Sequence, residues 1–359
     1  MFSDFSFLDY VWRGLLVGTL LSTIVLSGIF FVFWLLKERF SHTQMKWFLN
    51  YQILLLFLTF IGSFAFVVVS DPELAIRCFD HFVKDSASFT MTRIISGVWL
   101  FTILAMLGFD SIKIYLSFLK SKKLRPVFDN KIRSLFEKCL AKNSFNKSPQ
   151  LFMTSENISP YAWGLIDHKI VIPESSLKSL GLEAWESIFA HELIHIKDKD
   201  SLWLSLELLC RRLLFFNPLI YLVRQKHCLV IEKAADEQAI KFGGMDSSRF
   251  IKSLIEVLEV CKGAKANPLA VSASRNFLEI KERIESLSKI HRPVASKAIY
   301  YSVLLATILF TTGFSAAQAK RAINGFSEKN SIGMMCSQLR HEKLIESWLN
   351  IEAAPNKCR

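Results

Sequence analysis

Residues 190–195 read Ala190-His191-Glu192-Leu193-Ile194-His195. On a helix, residues four apart lie one above the other, so His191 and His195 can aim imidazole nitrogens at one metal ion. Glu192 falls on the adjoining edge, beside a metal-activated water rather than on the metal. Zinc in such a setting brings the pKa of a water towards neutrality, and a neighbouring carboxylate takes its proton as it attacks a peptide carbonyl. Apolar Ile188, Phe189, Leu193 and Ile194 let the rest of the helix bury itself. The bland alternative is two histidines and a glutamate on an ordinary helix face.

A catalytic zinc ion wants a third protein ligand. Downstream, Ile231-Glu232-Lys233-Ala234-Ala235-Asp236-Glu237 supplies carboxylates on a second predicted helix. Glu232 and Asp236 are four apart and share a face, so one can bind metal while the other accepts the outer N–H of a ligating histidine. Glu237 competes for the ligand role from a different face.

Outward from the motif, the pattern is helical almost without pause, with segments at about 182–198, 201–222, 224–242, 247–262 and 276–290. Pro218, Gly243-Gly244 and Asn267-Pro268 punctuate them. Upstream, 129–142 reads as a helix, and 151–154 and 169–172 read as short strands. Few strands before many helices predict a mainly helical α+β domain. Lys169, Ile170, Val171 and Ile172 form either an ordinary core strand or an edge strand able to pair with an extended peptide substrate. Asp200 either caps the next helix or holds a ligating histidine from behind. His227 and Arg224 are candidates for stabilising an oxyanion. Residues 201–223 are strongly apolar yet carry Glu207, Arg211 and Arg212, which predicts a helix beside the membrane or partly within it.

Further out the chain turns greasy. Apolar residues make up 51% of the 359, and the mean hydropathy is +0.30. Four stretches, at about 11–36, 47–70, 94–119 and 298–319, run apolar long enough to cross a membrane as helices. The predicted architecture is an α-helical multi-pass membrane protein with four transmembrane helices. Residues 1–119 hold three of them, 120–297 form a cytoplasmic zinc-peptidase domain, 298–319 form the fourth, and 320–359 form a short outer tail. Lys37, Arg39 and Lys46 follow the first span, and Lys120, Lys122, Lys123, Arg125, Lys131 and Arg133 follow the third. The excess of positive charge on those loops places both termini outside and the domain inside. The acidic N-terminus, with Asp4 and Asp9, predicts a retained anchor rather than a cleaved signal peptide. The net charge of +12 finds its counter-charge in anionic membrane lipids, so no direct nucleic-acid partner is expected. Of the seven cysteines, Cys336 and Cys358 fall in the outer tail, where an oxidising compartment would pair them.

Three stretches together carry a resemblance: 191–200 (HELIHIKDKD), Phe216-Asn217-Pro218-Leu219, and 232–237 (EKAADE). They resemble the zinc domain of the BlaR/MecR-type membrane metallopeptidases, bacterial sensor-transducers that answer β-lactams. Upstream, Ser159-Pro160-Tyr161-Ala162-Trp163-Gly164 and Lys169-Ile170-Val171-Ile172-Pro173 are similar to that family's segment before the zinc helix. The likeness runs over roughly residues 10–320. It implies a gluzincin-like domain with one Zn2+ per chain, His191, His195 and Glu232 as ligands, Glu192 as general base, and Asp236 behind the ligands. It also implies a bacterial cytoplasmic (inner) membrane location and a peptide or protein substrate, a transcriptional repressor among the candidates; oligomerisation is left open.

The sequence departs from that family at its end. The sensors carry a penicillin-binding domain acylated at the serine of an S-x-x-K motif; here 320–359 contain no serine with lysine three positions on. Covalent β-lactam sensing by this stretch is therefore not expected. The expected function is signal-regulated zinc endopeptidase cleavage of a cytoplasmic regulator. The alternatives are a housekeeping membrane-protein protease, or a non-proteolytic receptor with a structural zinc.

Overall fold

A computed structural model describes residues 7–36, 39–69, 86–142, 145, 148–165, 167–260, 277–288 and part of 301–309. The fourth span expected at 298–319 falls outside the described residues save for that part of 301–309. The tail 320–359 and the Cys336–Cys358 pairing lie outside them altogether.

Three helices among the described residues are long and apolar enough to cross a membrane. They are Gly18–Leu35 within α1 (Phe7–Leu36), His42–Gly62 within α2 (His42–Val69) and Arg93–Ser121 within α3 (Ser86–Ser121). A hydrocarbon core of about 30 Å needs roughly 20 helical residues, which each supplies. The helix that holds the second expected span, 47–70, begins earlier, at His42, and takes in Lys46.

The compact unit that carries the site comprises Thr19–Ile61 and Val98–Leu305, and every contact below lies within it. Its sheet has four strands in the order β1-β2-β4-β3: β1 (Arg125–Pro126), β2 (Gln150–Thr154), β3 (Tyr161–Trp163) and β4 (Lys169–Pro173). β4 runs parallel to β2 on one side, with Phe152 opposite Val171, and antiparallel to β3 on the other, with Ala162 opposite Ile170. Lys169, Ile170, Val171 and Ile172 are therefore not an edge. Both sides of their backbone are already paired, and Ile170, Val171 and Ile172 are wholly buried. The edge on that side is β3. Gly164 ends β3 at φ +105, where a Cβ would stand 2.1 Å from the Asp167 carbonyl oxygen, so only glycine fits the turn.

Helix α4 (Asn130–Ala141) is capped by Asp129, whose carboxylate accepts from the amides of Lys131 and Ile132. It packs with α5 (Leu182–Lys197) on the sheet. Ile132, Phe136 and Cys139 meet Trp185, Phe189 and Leu193 over Met153, Ala162, Ile170 and Ile172. Phe136 meets Phe189 edge to face at 5.3 Å, an arrangement favoured by ring quadrupoles. From Ser187 to Ile196 every residue of α5 is buried, so the histidine motif sits inside the fold, not on a plain surface face.

The apolar segment 201–223 is not one helix. α6 (Asp200–Leu213) stops short of α7 (Pro218–Gly243). Pro218 has no amide hydrogen and is tolerated at a helix start. Asn217 caps that start by accepting from Leu219 N, while its own amide donates to Thr23 Oγ1 of α1. The charges that made the segment awkward have found partners. Arg212 of α6 forks onto Asp110 of α3, with Nε to Oδ2 at 2.6 Å and Nη2 to Oδ1 at 2.8 Å. A carboxylate in a span is costly unless paired, and a bidentate guanidinium is the best partner available to it. Two further helices, α8 (Ser247–Val260) and α9 (Phe277–Ser288), pack against the peptidase core.

Candidate metal centre

Helix α5 delivers His191 and His195 from successive turns, with ring planes at 90° and Nε2 atoms 3.0 Å apart. α7 crosses it and brings Glu232, whose Oε2 is 3.5 Å from His191 Nε2 and whose Oε1 is 3.9 Å from His195 Nε2. One ligand atom from each of the three lies within 4.8 Å of the others. Ligands each about 2.1 Å from a tetrahedral zinc ion stand roughly 3.4 Å apart, so these separations suit one ion.

The tautomers also suit it. His195 Nδ1 faces Asp200 Oδ2 at 2.7 Å, so the N–H donates to a carboxylate and Nε2 is left with its lone pair. His191 Nδ1 lies 2.9 Å from Asp236 Oδ1, although off the direction of a good hydrogen bond. Neither buried oxygen of Glu232 accepts a hydrogen bond. Two imidazole Nε2 atoms and a carboxylate facing one point form a donor set for a divalent metal ion, of a kind that zinc accepts. Asp200 reaches His195 because Lys199 takes a left-handed conformation (φ 56), turning the chain sharply from α5 into α6. Asp200 is the first residue of α6 and Lys199 its cap; with Oδ2 on His195 and no hydrogen bond to Oδ1, the capping alternative does not describe it.

Glu192 stands beside this set without joining it. Its Oε2 accepts a 2.7 Å hydrogen bond from the Ala162 amide of β3. Burial raises its pKa first of all, and the charges of His195 and His191 oppose that. Two residues that sequence reasoning passes over complete the surroundings. Arg283 of α9, 9% exposed, forks onto Asp236 at 2.7 Å through both Nε and Nη2, and its Nη1 stands 2.9 Å from Glu232 Oε2. Burial would raise the carboxyl pKa of both Glu232 and Asp236, but the Arg283 guanidinium and the His191 imidazole outweigh it and hold both below their ordinary values. The legible signal is a lone arginine in the stripe of Ile280, Ile284 and Leu287. Lys46 of α2 is the second, buried against Asp198 and, at 3.3 Å, Asp200 Oδ1. The oxyanion candidates are occupied elsewhere: His227 Nε2 pairs with Asn50 Oδ1 at 2.8 Å, and Arg224 pairs with Glu207. Glu237, the competing ligand, sits with its Oε2 3.4 Å from the amide of Thr43 instead.

His191 makes a pH prediction. Burial would lower its pKa, yet the carboxylates of Asp236 and Glu232 close beside it carry it up to about 10. A raised histidine contributes stability fully below its ordinary value near 6.5, and that contribution is lost as pH rises through about 10. Metal-free protein should therefore weaken between these limits, and zinc uptake near neutral pH should expel about one proton per ion. Titration calorimetry in buffers of different ionisation enthalpy measures this; zinc uptake with no proton released at pH 8 would contradict the assignment.

A helical protein with helices long and apolar enough to cross a membrane and a buried His, His, Glu cluster beside a further buried glutamate fits the class of membrane metallopeptidases. Residues 61–287 match the family described as BlaR1 peptidase M56, and the chain belongs to that family. It is 26% identical over 203 residues to the methicillin resistance mecR1 protein of Staphylococcus aureus, covering 55% of this chain and 34% of that protein. The mecR1 protein of Staphylococcus epidermidis gives the same figures. The regulatory protein BlaR1 of Bacillus licheniformis is 25% identical over 248 residues, 66% of this chain and 40% of that protein. The chain thus spans between a third and two fifths of the length of the curated relatives it matches.

Proposed function

We propose that this chain is a membrane-anchored zinc endopeptidase of the HExxH gluzincin type that cuts a cytoplasmic regulatory protein in response to a signal. The peptidase domain, 120–297, would face the cytoplasm, with both termini and a fourth span at 298–319 arranged as the charge pattern predicts. The convergence of His191, His195 and Glu232 beside an uncoordinated Glu192 carries the reading. A structural zinc site needs no such base, so Glu192 favours chemistry over scaffolding.

His191, His195 and Glu232 would hold the ion, with Asp200 hydrogen-bonded to His195 and Asp236 beside His191 to support the two imidazoles from behind. When bound, zinc supplies Lewis acidity, acidifying a water and polarising the scissile carbonyl. Glu192 takes the proton from the attacking water and returns it to the departing amine. Its burial keeps it basic, and the Ala162 amide keeps it aimed. β3 is the natural support for substrate: in an antiparallel pair with β4, the Ala162 N–H that reaches Glu192 points away from β4. The Ala162 carbonyl lies on the same side of the strand and would be the acceptor for an extended guest chain. The mecR1 and BlaR1 proteins are named for methicillin resistance and regulation, which supports a regulatory role over a housekeeping one.

The test is a comparison of cellular N-termini between wild type and Glu192→Gln. One or two cytoplasmic regulators gaining new N-termini only in wild type is the expected result. Accumulation of many membrane proteins in the variant would point instead to a housekeeping protease. Full rescue of a deletion phenotype by Glu192→Gln would remove proteolysis from the function.

A further inference from the structure

We infer that Lys46, at the start of membrane helix α2, is a positioning residue of the metal centre. It would act through Asp200 on His195; the inference rests on the zinc site proposed above. Lysines at the ends of membrane helices ordinarily extend their ammonium groups towards lipid headgroups and water. Lys46 does the opposite. It is 0% exposed; its Nζ donates to Asp198 Oδ2 and stands 3.3 Å from Asp200 Oδ1, an ion pair without hydrogen-bond geometry. Burying an ammonium is expensive unless it is closely paired, so an apolar residue would be the cheaper occupant of a purely structural position.

The contacts continue in one line. The Asp200 oxygen opposite the one facing Lys46 accepts from His195 Nδ1 at 2.7 Å. His195 Nε2 in turn faces His191 and Glu232. On the other flank, Gln238 of α7 donates to the same Asp198 oxygen that meets Lys46, at 2.8 Å. The ammonium therefore places its positive charge against the carboxylate that sets the ring orientation of a ligand, and it does so from a helix outside the peptidase core. Neighbouring contacts seat α2 firmly enough to hold it there. Asn50 and His227 share a 2.8 Å hydrogen bond, and Phe48, Leu49 and Ile53 are buried. A carboxylate that supports a ligating histidine typically sets metal affinity by about 10- to 100-fold, and Lys46 should carry an effect of that order by fixing this one.

The test uses the full chain purified in detergent, with zinc affinity measured by competition against a chromophoric chelator. Lys46→Met is expected to weaken zinc binding by about 10- to 100-fold, and Asp200→Asn by a similar factor. The double variant should be no weaker than Asp200→Asn alone, because both changes remove one contact line. Lys46→Arg, which keeps the charge, should bind more tightly than Lys46→Met. The visible spectrum of cobalt-loaded Lys46→Met should shift with that of Asp200→Asn. Wild-type affinity in Lys46→Met, or losses that multiply in the double variant, would overturn the inference while leaving the site intact. His191→Ala distinguishes the other failure: unchanged zinc binding in that variant would bring down the site and this inference together.

Discussion

Glu192→Gln should lower peptide hydrolysis by about 10²- to 10⁴-fold, the usual worth of a general base, with zinc content and fold unchanged. The separation of effects follows from position. Glu192 is buried with its oxygen on the Ala162 amide, whereas the metal cluster is made by His191, His195 and Glu232. A glutamine side chain has nearly the same shape, and its amide oxygen can still accept from Ala162. What it lacks is a site for the water's proton. Activity of purified protein on an unfolded test substrate, read beside zinc stoichiometry, decides the matter. Zinc lost together with activity would make Glu192 a ligand, and retained activity would remove it from the chemistry.

Arg283→Met should produce the largest loss of stability among single changes near the site, about 3–5 kcal/mol in metal-free protein, the usual result of stranding buried charge. Arg283 is the guanidinium shared by Asp236 and Glu232, and all three are buried. Removing it leaves two carboxylates facing His191 with one imidazole between them. Zinc restores part of the missing positive charge at Glu232 but not at Asp236, so added zinc should recover only part of the loss. Arg283→Lys should not rescue fully, because an ammonium cannot reproduce the two-pronged contact with Asp236. Thermal denaturation with chelator and with zinc checks all three statements; a variant as stable as wild type in chelator would refute them.

The sequence carries the outline of the site better than its surroundings. His191 and His195 announce themselves by helical spacing, and Glu232 and Asp236 by sharing a face, because both depend only on local geometry. The strand bearing Ala162 is different. Tyr161-Ala162-Trp163 lies between Pro160 and Gly164 and is too short to display alternation, so pattern alone leaves open whether the neighbouring β4 is a core strand or an edge. Lys46 and Arg283 are hidden for another reason. Each is a charge beside an apolar run, which in isolation reads as a boundary or a surface residue. Only the fold brings Asp198, Asp200, Glu232 and Asp236 to meet them. The break between α6 and α7 is legible in Asn217-Pro218, but the apolar content of 201–223 masks it.

With β3 as the proposed support for substrate, its brevity would limit what the site cuts. Three residues can align only a short extended piece of another chain, and Gly164 ends the support abruptly. A compact domain cannot thread a strand there without first coming apart, whereas a hinge or interdomain linker already offers slack backbone. Selection would then depend chiefly on how readily a stretch can be straightened, and a regulator would become a victim when its linker is exposed.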